Sequence, residues 1–485
     1  MNKRIAFLLA AVLLVMAVLA CGCTKKPASA PAETTGTGGG TGTDAESGTT
    51  DYLKSLPTPT FRDGEVRILV TSQLKDFYEQ YNESSNIVDN ACYRRNAIIE
   101  DRFGCELKYT DMDGNASGSA AFSQEIRTTS LGGESDAYDI IVGQNYYCLP
   151  LVSENLLHNL KSGGNFNWDA DWYHQNINSA GEIHGKLYGG SGSFVVSQLA
   201  YEMACFYSKT VYAKYGFTEN LYDLVRDKEW TYEKLYEMVT SFTSTSDDDQ
   251  SSAAYGMIKF DHAAIGLTLS FGVDFVQRDA VGNLSMNAYG SGMEDVFEKI
   301  RSLMNDYSGV VSTSQLTYAR GNIMAHVLFV QTYVHGLLED ELLQKSDSFT
   351  IGILPMPLLN RDQENYRTRI MRDELFYVPQ CKSLENSSVI IEAMNYETMQ
   401  LVNPAYWDRA LEKRSSDTED DMEMLQLIAR TVYSGTEQYF REDLLNVNQQ
   451  FALEALNNSA SFSSWWGKNR KPLERQLSNV VAIYG

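Results

Sequence analysis

Strand-like and helix-like segments alternate over the first folded part of this sequence, and this alternation restricts the fold more than any other feature. Short apolar runs predict strands, and the longer runs between them predict helices. Strands that are joined by helices run parallel to one another. The predicted order is strand Glu65–Thr71, helix Val88–Phe103, strand Cys105–Thr110, helix Phe122–Leu131 and strand Tyr138–Val142. The sequence therefore predicts an α/β fold with a parallel sheet.

Polar and aromatic residues follow the third predicted strand, at the end of the sheet where such folds bind ligands. Gln144, Asn145, Tyr146 and Tyr147 come just after the buried run that ends at Val142. We expect at least two of these four side chains to contact a ligand. For one of the tyrosines, the alternative is packing against the next helix.

A glycine-rich segment, Gly189–Ser193, marks the start of a second compact unit. Glycine permits the backbone angles that a crossing between two lobes requires. Beyond it, Thr231 is predicted to cap an amphipathic helix over Tyr232–Thr243. The other predicted elements are helices at His262–Phe271, Met293–Tyr307, Ser387–Val402, Asp420–Tyr433, Val447–Asn457 and Lys468–Tyr484, and strands at Ile323–Val330 and Phe349–Leu354.

The first residues of the chain have the order of an export signal, in which a basic pair precedes an apolar run over residues 5–19. This run is too short to span a bilayer comfortably. The sequence Val18-Leu19-Ala20-Cys21 that ends it resembles the lipobox of bacterial lipoproteins, whose cysteine is acylated and becomes the new N-terminus. We therefore predict lipidation at Cys21. Cys23 is the alternative residue, and an ordinary cleaved signal peptide is the alternative interpretation.

A low-complexity segment, residues 24–50, follows this cysteine and consists almost wholly of Thr, Gly, Ala, Pro and Ser with a few charges. Such a composition cannot bury enough apolar surface to offset the entropy lost on ordering. A flexible coil of this length has a mean reach of roughly 30 Å. The folded part would lie close to a membrane, as suits a receptor that passes a ligand to a membrane protein and equally suits an envelope enzyme.

The charge balance narrows the possible partners. The chain carries 40 Lys plus Arg and 63 Asp plus Glu, a net charge of -23, which argues against nucleic acid and anionic membrane surfaces as partners. The chain beyond the tether is too long for one core, so we expect two or more domains. Of the seven cysteines, two lie near the N-terminus, and the other five leave at least one unpaired. Their use as small buried hydrophobic residues is favoured over a disulfide framework.

Short motifs occur in order along the chain from about Glu65 to the C-terminus. They are Tyr138–Val142, Glu154–Leu160, Gly185–Gly189, Phe206–Lys209 with Tyr215–Gly216, Glu229–Leu235, Arg320–Ala325 and Ile351–Pro357. In their order and spacing together, these motifs resemble those of family 1 extracellular solute-binding proteins of ABC importers. The resemblance implies a two-lobed, type II periplasmic-binding-protein fold, whose lobes close on a ligand by a hinge motion.

The resemblance also implies three chain crossings between the lobes. We place them near Gly189–Ser193, Ile370–Tyr377 and Tyr433–Phe440. The corresponding division is a signal peptide over residues 1–20, an anchor and tether over 21–60, a first lobe of 61–190 plus 375–435, and a second lobe of 191–374 plus 436–485. Residues beside the crossings and at the strand tips would line the cleft.

Aromatic and polar side chains near these positions are candidates for sugar binding, because a pyranose presents apolar faces and hydroxyl edges. Arg372, Asp373 and Glu374 interrupt an apolar stretch, where they either bind hydroxyl groups or pair with one another. Trp172 either stacks on a sugar or roofs the first lobe. Trp465 is either a stacking platform or packs under the final helix. The candidates at the first crossing are Tyr188, Ser191 and Ser193.

Enzyme signatures are missing from the sequence, which contains no GxSxG, HExxH or GxxxxGK[ST] pattern. Six scattered histidines have no metal-ligand spacing. We therefore expect no catalytic residue, no metal and no cofactor.

The predicted protein is a lipid-anchored monomer at the outer face of the cell membrane. It would capture a small-molecule ligand, a carbohydrate such as an oligosaccharide, and deliver it to an ABC permease. One alternative is an envelope glycoside-processing enzyme, since paired carboxylates in an acid-rich chain could hydrolyse glycosides. Another is a non-transport binding lipoprotein, and the ligand could also be a peptide or another polar solute.

Overall fold

Two sheets and one hairpin form the β-structure of the part of the chain that the structure describes. The computed structural model describes residues 52–115, 117–132, 137–242, 254–287, 292–312, 323–334, 348–372, 374–412 and 419–485. The strands are β1 (Glu65–Thr71), β2 (Glu106–Met112), β3 (Ile140–Gln144), β4 (Met203–Ser208), β5 (Tyr255–Lys259), β6 (Val276–Arg278), β7 (Leu284–Met286), β8 (Val310–Ser312), β9 (Val327–Tyr333), β10 (Ile351–Leu354) and β11 (Glu374–Tyr377).

The helices cover the faces of these sheets. They are α1 (Ile87–Phe103), α2 (Ser119–Gly132), α3 (Asn145–Ser153), α4 (Gln175–Gly181), α5 (Ser197–Ala200), α6 (Lys209–Lys214), α7 (Leu221–Arg226), α8 (Tyr232–Thr240), α9 (Asp261–Ser270), α10 (Met293–Asn305), α11 (Leu384–Glu397), α12 (Asn403–Glu412), α13 (Glu419–Arg430), α14 (Thr436–Tyr439), α15 (Val447–Asn457) and α16 (Phe462–Tyr484). Among the described residues, none of these helices combines the length and the apolar composition that a membrane span requires.

The first sheet has the strand order β11-β3-β1-β2. β1 pairs in parallel with both β2 and β3, which confirms the predicted alternation, and β11 runs antiparallel to β3. The third strand begins and ends two residues later than predicted. Gly143 and Gln144 therefore belong to β3, and Asn145 is the first residue of α3.

The second sheet has the order β10-β4-β9-β5-β8. β4 runs antiparallel to β10 and β9, while β5 runs parallel to β9 and β8. Helix α13 packs on this sheet through Asp421, which is fully buried. The Asp421 carboxylate accepts hydrogen bonds from the Ile353 amide over 2.9 Å and from the Tyr222 hydroxyl over 2.7 Å. These contacts fix α13 beside β10.

Side-chain caps determine where several helices begin. The Thr231 hydroxyl accepts from the Lys234 amide at 3.4 Å, which confirms the predicted cap of α8. Ser461 accepts from the Ser464 amide in the same way, so α16 starts at Phe462, six residues before the predicted start. Satisfying the free N–H groups of a first turn in this way stabilises the helix by about 1 kcal/mol.

Two other predicted elements have different bounds. A 3₁₀ turn covers Ile323–Ala325, so β9 starts at Val327 and extends to Tyr333 rather than ending at Val330. The predicted helix Ser387–Val402 is α11 followed by a π-helical turn over Thr398–Val402. The period of the apolar residues identified both elements, but it could not separate these adjoining turns from the element itself.

Three segments of the chain cross side by side between the sheets. Isolated β-bridges hold them together: Gly190 with Phe376, Glu202 with Ile370, and Thr368 with Val432. A Cβ atom on Gly190 would lie 2.2 Å from the Phe376 ring, and one on Gly189 would lie 2.7 Å from the Tyr377 ring. Neither glycine has a positive φ. Glycine is therefore required here for close approach of the segments, and not for the backbone angles that the sequence suggested.

The described cysteines form no disulfide with one another. Cys92, Cys148 and Cys205 are buried, while Cys105 and Cys381 are half-buried. Burial raises the pKa of the Cys92 and Cys105 thiols to about 11. The expectation of small buried hydrophobic residues is confirmed for the three buried cysteines.

Candidate ligand-binding site

The end of β3 is tied to the chain crossings by hydrogen bonds. Gln144 is 8% exposed and lies opposite Glu374 of β11. The Asn145 amide donates to the Tyr439 carbonyl over 2.6 Å, and its oxygen accepts from the Tyr377 hydroxyl over 3.1 Å. Both polar atoms of the Asn145 side chain therefore hold the strand tip to its neighbours.

Tyr146 and Tyr147 have different surroundings. Tyr147 is 3% exposed and its ring lies 4.7 Å from that of Phe122, centroid to centroid. The Tyr146 ring is half-buried and packs edge-on against Tyr147 at 4.8 Å. Tyr147 is thus the tyrosine that packs in the core, and Tyr146 is the one that keeps an accessible face.

The Trp172 side chain belongs to a buried hydrogen-bond network around Glu392. The Trp172 indole N–H donates to the fully buried Glu392 carboxylate over 3.1 Å, and the Tyr52 hydroxyl donates to it over 2.6 Å. The Tyr173 hydroxyl donates to the same carboxylate. This arrangement favours the interpretation that Trp172 roofs the first lobe.

Ser191 is enclosed by polar neighbours at the first crossing. Its hydroxyl donates a hydrogen bond to the Gln198 side-chain oxygen over 2.7 Å. Because that hydroxyl has only one hydrogen, its oxygen accepts the hydrogen bond from the His174 Nδ1–H group, 3.0 Å away. Burial lowers the pKa of His174 to about 4, which keeps the ring neutral near pH 7. The Ser191 amide donates to the Asn178 side chain over 2.8 Å. Ser193, 8% exposed, follows on the same segment.

Two further aromatic candidates pack against the C-terminal part of the chain. Tyr188 is half-buried, with its ring 5.2 Å from that of Tyr484. Trp465 is 6% exposed and contacts Phe451 at 5.7 Å and Phe275 at 6.1 Å. Trp465 therefore belongs to the apolar core, which was the second of its two predicted roles.

Arg372 projects from the second crossing beside an aromatic ring. Its guanidinium carbon lies 5.3 Å from the Tyr201 ring centroid, and its Nε lies 3.4 Å from the Glu374 carboxylate. The Arg372 side chain is 13% exposed and that of Glu374 is fully buried. The predicted candidate Asp373 lies outside the described residues.

Side chains from several segments meet around Arg372. Tyr201 comes before β4 and Tyr333 ends β9, and their rings lie 5.9 Å apart. The Tyr333 hydroxyl lies 2.8 Å from the His262 Nδ1 atom at the start of α9. The Arg441 guanidinium donates to the Met371 carbonyl over 3.5 Å. We call this group the crossing cluster: Tyr201, His262, Tyr333, Arg369, Met371, Arg372 and Arg441.

Burial is the main cause of the pKa shifts of Tyr333 and His262, and Arg369 acts on both groups. Burial raises the pKa of Tyr333 to about 12, although the charge of Arg369 and its hydrogen bond to Tyr333 act in the opposite direction. Burial, and then the charge of Arg369, lower the pKa of His262. The Tyr333 hydroxyl also donates to the Met371 Sδ atom over 2.6 Å.

The crossing cluster offers the groups that a sugar-like ligand requires. The tyrosine rings supply apolar faces, and the guanidinium groups supply hydrogen-bond donors. Sequence reasoning found Arg372 but missed Tyr201, His262, Tyr333 and Arg441. Tyr333 ends β9, so the rule that located Gln144–Tyr147 would have found it in the second sheet, whereas Tyr201 precedes β4 and is not found by that rule. No comparable signal exists for Arg441, which approaches through a loop.

Comparisons with known proteins give similarity at the level of the fold. No protein-family model matches this chain, and a search of curated proteins found no match. The cyclic α-maltosyl-1,6-maltose binding protein from Arthrobacter globiformis is similar, with a TM-score of 0.55, 13% identity, and coverage of 86% of this chain and 99% of that chain.

Two further solved structures, both of proteins from bifidobacteria, are similar over the same share of this chain. The galacto-N-biose/lacto-N-biose I-binding protein of an ABC transporter from Bifidobacterium longum has a TM-score of 0.52 and 12% identity, covering 86% of this chain and 97% of that chain. A family 1 extracellular solute-binding protein from Bifidobacterium longum subsp. infantis has a TM-score of 0.52 and 12% identity, covering 86% and 99%. The similarity confirms the predicted two-lobed α/β fold of type II periplasmic binding proteins.

Proposed function

We propose that this protein is a solute receptor that captures a carbohydrate between its two lobes and delivers it to an ABC permease. The observation that carries the proposal is the position of the crossing cluster, which gathers aromatic rings and guanidinium groups where the chain passes between the sheets. A ligand held there by the second lobe would contact both lobes if it also touched Tyr146 of the first lobe. Such a contact favours a closed arrangement of the lobes over an open one.

Carbohydrate is the ligand class that the comparisons favour. Two of the three similar structures are named as binding proteins for sugars. Stacking on Tyr201 and Tyr333 suits the apolar faces of a pyranose. A peptide backbone lacks this combination of a flat apolar face and a hydroxyl rim.

The proposed ligand contacts include part of the set predicted from sequence. They are Tyr146, Arg372 and Asp373 from that set, together with Tyr201, His262 and Tyr333. We leave out Asn145, Tyr147, Trp172, Ser191 and Trp465, whose side chains are committed to interior contacts. The remaining predicted residues, Gln144, Tyr188, Ser193 and Glu374, stay proposals for the wall of the cleft.

The lobe division that we propose follows the predicted one with a single change. The first lobe would comprise residues 61–190 and 375–412, and the second lobe residues 191–374 and 419–485. Helix α13 joins the second lobe, because Asp421 accepts a hydrogen bond from the β10 amide of Ile353. The predicted boundary at residue 435 would have placed this helix in the first lobe.

Membrane attachment through Cys21 is the second part of the proposal, with Cys23 as the alternative residue. Two or more acyl chains would hold a monomeric receptor at the outer face of the cell membrane. Mass spectrometry of the N-terminal peptide should show a diacylglyceryl thioether on Cys21. An unmodified N-terminus on freely secreted protein would contradict the anchor without affecting the ligand-binding proposal.

A glycan screen tests the receptor function. Thermal shift with a panel of oligosaccharides should identify ligands that stabilise the protein, and calorimetric titration should confirm one site per chain. The glycan should be recovered intact after incubation. Cleavage would favour a glycoside-processing enzyme, and stabilisation by peptides but by no glycan would replace the carbohydrate proposal with a peptide receptor.

A further inference from the structure

We infer that the ligand held by the crossing cluster is an acidic saccharide, one that carries a carboxylate or sulfate group. The inference rests on the proposed function, because it concerns the same cleft and names the class of sugar. We draw it from the hydrogen-bond donors of the crossing cluster. The donors are arginine side chains that remain partly open to solvent.

Three arginines converge on one short segment of the second crossing. Arg369 and Arg372 lie three residues apart on it, and Arg441 donates to the carbonyl of Met371 between them over 3.5 Å. The Arg372 and Arg441 side chains are 13% and 17% exposed, so neither is sealed in the core. The chain as a whole has only 40 basic residues against 63 acidic ones. Three arginines on one segment are therefore a local concentration of donors in an acidic chain, although Glu374 and Glu442 each approach one of them.

Arg367 shows how the same chain neutralises an arginine with its own residues. Its Nη1 atom donates to both oxygens of Asp274 at 3.0 Å, and its guanidinium lies 4.0 Å from the Tyr433 ring centroid. Arg372 has a different environment. The Glu374 carboxylate approaches its Nε atom at 3.4 Å, a longer contact than either of those between Arg367 and Asp274.

The Arg372 guanidinium carbon lies 5.3 Å from the Tyr201 ring centroid, within the range of a cation–π contact. A guanidinium stacked by its face keeps its planar edge for hydrogen bonds, and that edge matches the two oxygens of a carboxylate or sulfate. Closure of the cleft removes water from these charges. A neutral hydroxyl group would compensate the lost hydration poorly, whereas an anion would compensate it well.

The test compares saccharides that differ only in charge. Oligogalacturonides and their methyl esters share one backbone, and chondroitin oligosaccharides with and without sulfate separate the sulfate from the carboxylate. We expect at least one free acid to bind at least tenfold more tightly than its uncharged or less charged partner, as one charge-assisted hydrogen bond allows. Its affinity should also weaken between about 50 and 500 mM salt, because exposed charges are screened over that range.

Arg441→Gln is the principal variant. The Arg441 Nε atom approaches the Glu442 carboxylate, which is 41% exposed. Water can therefore solvate this carboxylate when the arginine is removed, so the variant should fold. The ratio of affinities between acid and ester should fall about tenfold or more in this variant. Arg372→Lys keeps a charge near buried Glu374 and should reduce the ratio by less. Arg470→Gln, on the exposed face of α16 beside Glu474, is the matched control and should leave the ratio unchanged.

The outcomes separate the inference from the proposed function. Binding of neutral glycans with no preference for the acids would overturn the inference and keep the receptor function. The absence of binding by every acidic and neutral glycan would contradict both.

Discussion

The Asn145 side chain donates a hydrogen bond of 2.6 Å to the backbone carbonyl of Tyr439, a residue 294 positions further along the chain. Its oxygen accepts from the Tyr377 hydroxyl at 3.1 Å. One amide thus joins the tip of β3 to β11 and to the third crossing segment. This bond makes Asn145 a structural residue, although its position at the end of a strand suggested a ligand contact.

Asn145→Ala should therefore lower the free energy of unfolding. Each buried partner left without a hydrogen bond costs about 1 to 3 kcal/mol. Tyr377→Phe removes one of the two bonds and should have the smaller effect. Urea unfolding of both variants measures this order, and an Asn145→Ala protein with unchanged stability but lost glycan binding would return Asn145 to the ligand set.

The two neighbouring tyrosines should respond in opposite ways to truncation. Tyr147→Ala removes a buried ring that packs against Phe122, and such changes cost about 3 to 5 kcal/mol of stability. Tyr146→Ala should change stability little and weaken glycan binding, because this ring keeps an accessible face. Thermal unfolding and calorimetric titration on the two single variants distinguish these effects. Equal loss of stability in both would place Tyr146 in the core as well.

The network around Glu392 gives a third prediction. Glu392→Gln keeps the size of the side chain but turns one accepting oxygen into a donor, which then faces donors such as the Trp172 indole and the Tyr52 hydroxyl. We expect a loss of about 1 to 3 kcal/mol or more in the free energy of unfolding. Glu474→Gln, at an exposed position of α16, is the control for removal of a charge. If ligand affinity fell while stability held, the roofing role of Trp172 would be wrong.

Glu437 should make stability depend on pH. Burial, and then the negative charge of Asp274, raise the pKa of Glu437 from 4.5 to about 7. The folded protein therefore keeps this proton between about pH 4.5 and 7, where the unfolded chain has lost it, so this contribution to stability decreases as the pH rises through that range. At about 1.4 kcal/mol for each pH unit, the full decrease is on the order of 3 kcal/mol.

Glu437→Gln removes this dependence. The Gln side chain can still accept the hydrogen bond that the Val276 amide gives to Glu437 at 3.2 Å. The variant should become more stable relative to the unmodified protein as the pH rises from 5 to 8. Urea unfolding at several pH values measures the difference, and a constant difference across the range would mean that Glu437 is ionised in the folded protein.

The sequence predicted the elements of the first sheet because apolar period and strand length are local properties. Its error at the end of β3 also has a local cause. Gly143 resembles the start of a turn, but it is part of the strand, where a Cβ atom would lie 2.9 Å from the Tyr147 ring and 3.0 Å from the Phe122 ring. A glycine that makes room for two rings cannot be distinguished by pattern from one that turns the chain.

The site was less predictable because polar residues at the crossings serve the backbone as well as a ligand. Asn178 and Ser191 are polar since a crossing segment leaves amide and carbonyl groups that need partners inside the protein. The two partners are 13 positions apart, so no short sequence pattern pairs them. Arg372 was recognisable as a charge within an apolar stretch, whereas Tyr201 precedes its strand and no local pattern marks it out.

The packing of the tryptophans determines what intrinsic fluorescence can report. The six are Trp168, Trp172, Trp230, Trp407, Trp465 and Trp466, and all are buried or half-buried. None belongs to the crossing cluster, so their emission should follow unfolding and change little when a ligand enters. A tryptophan introduced at Tyr146 would give the cleft its own optical signal against a nearly constant background.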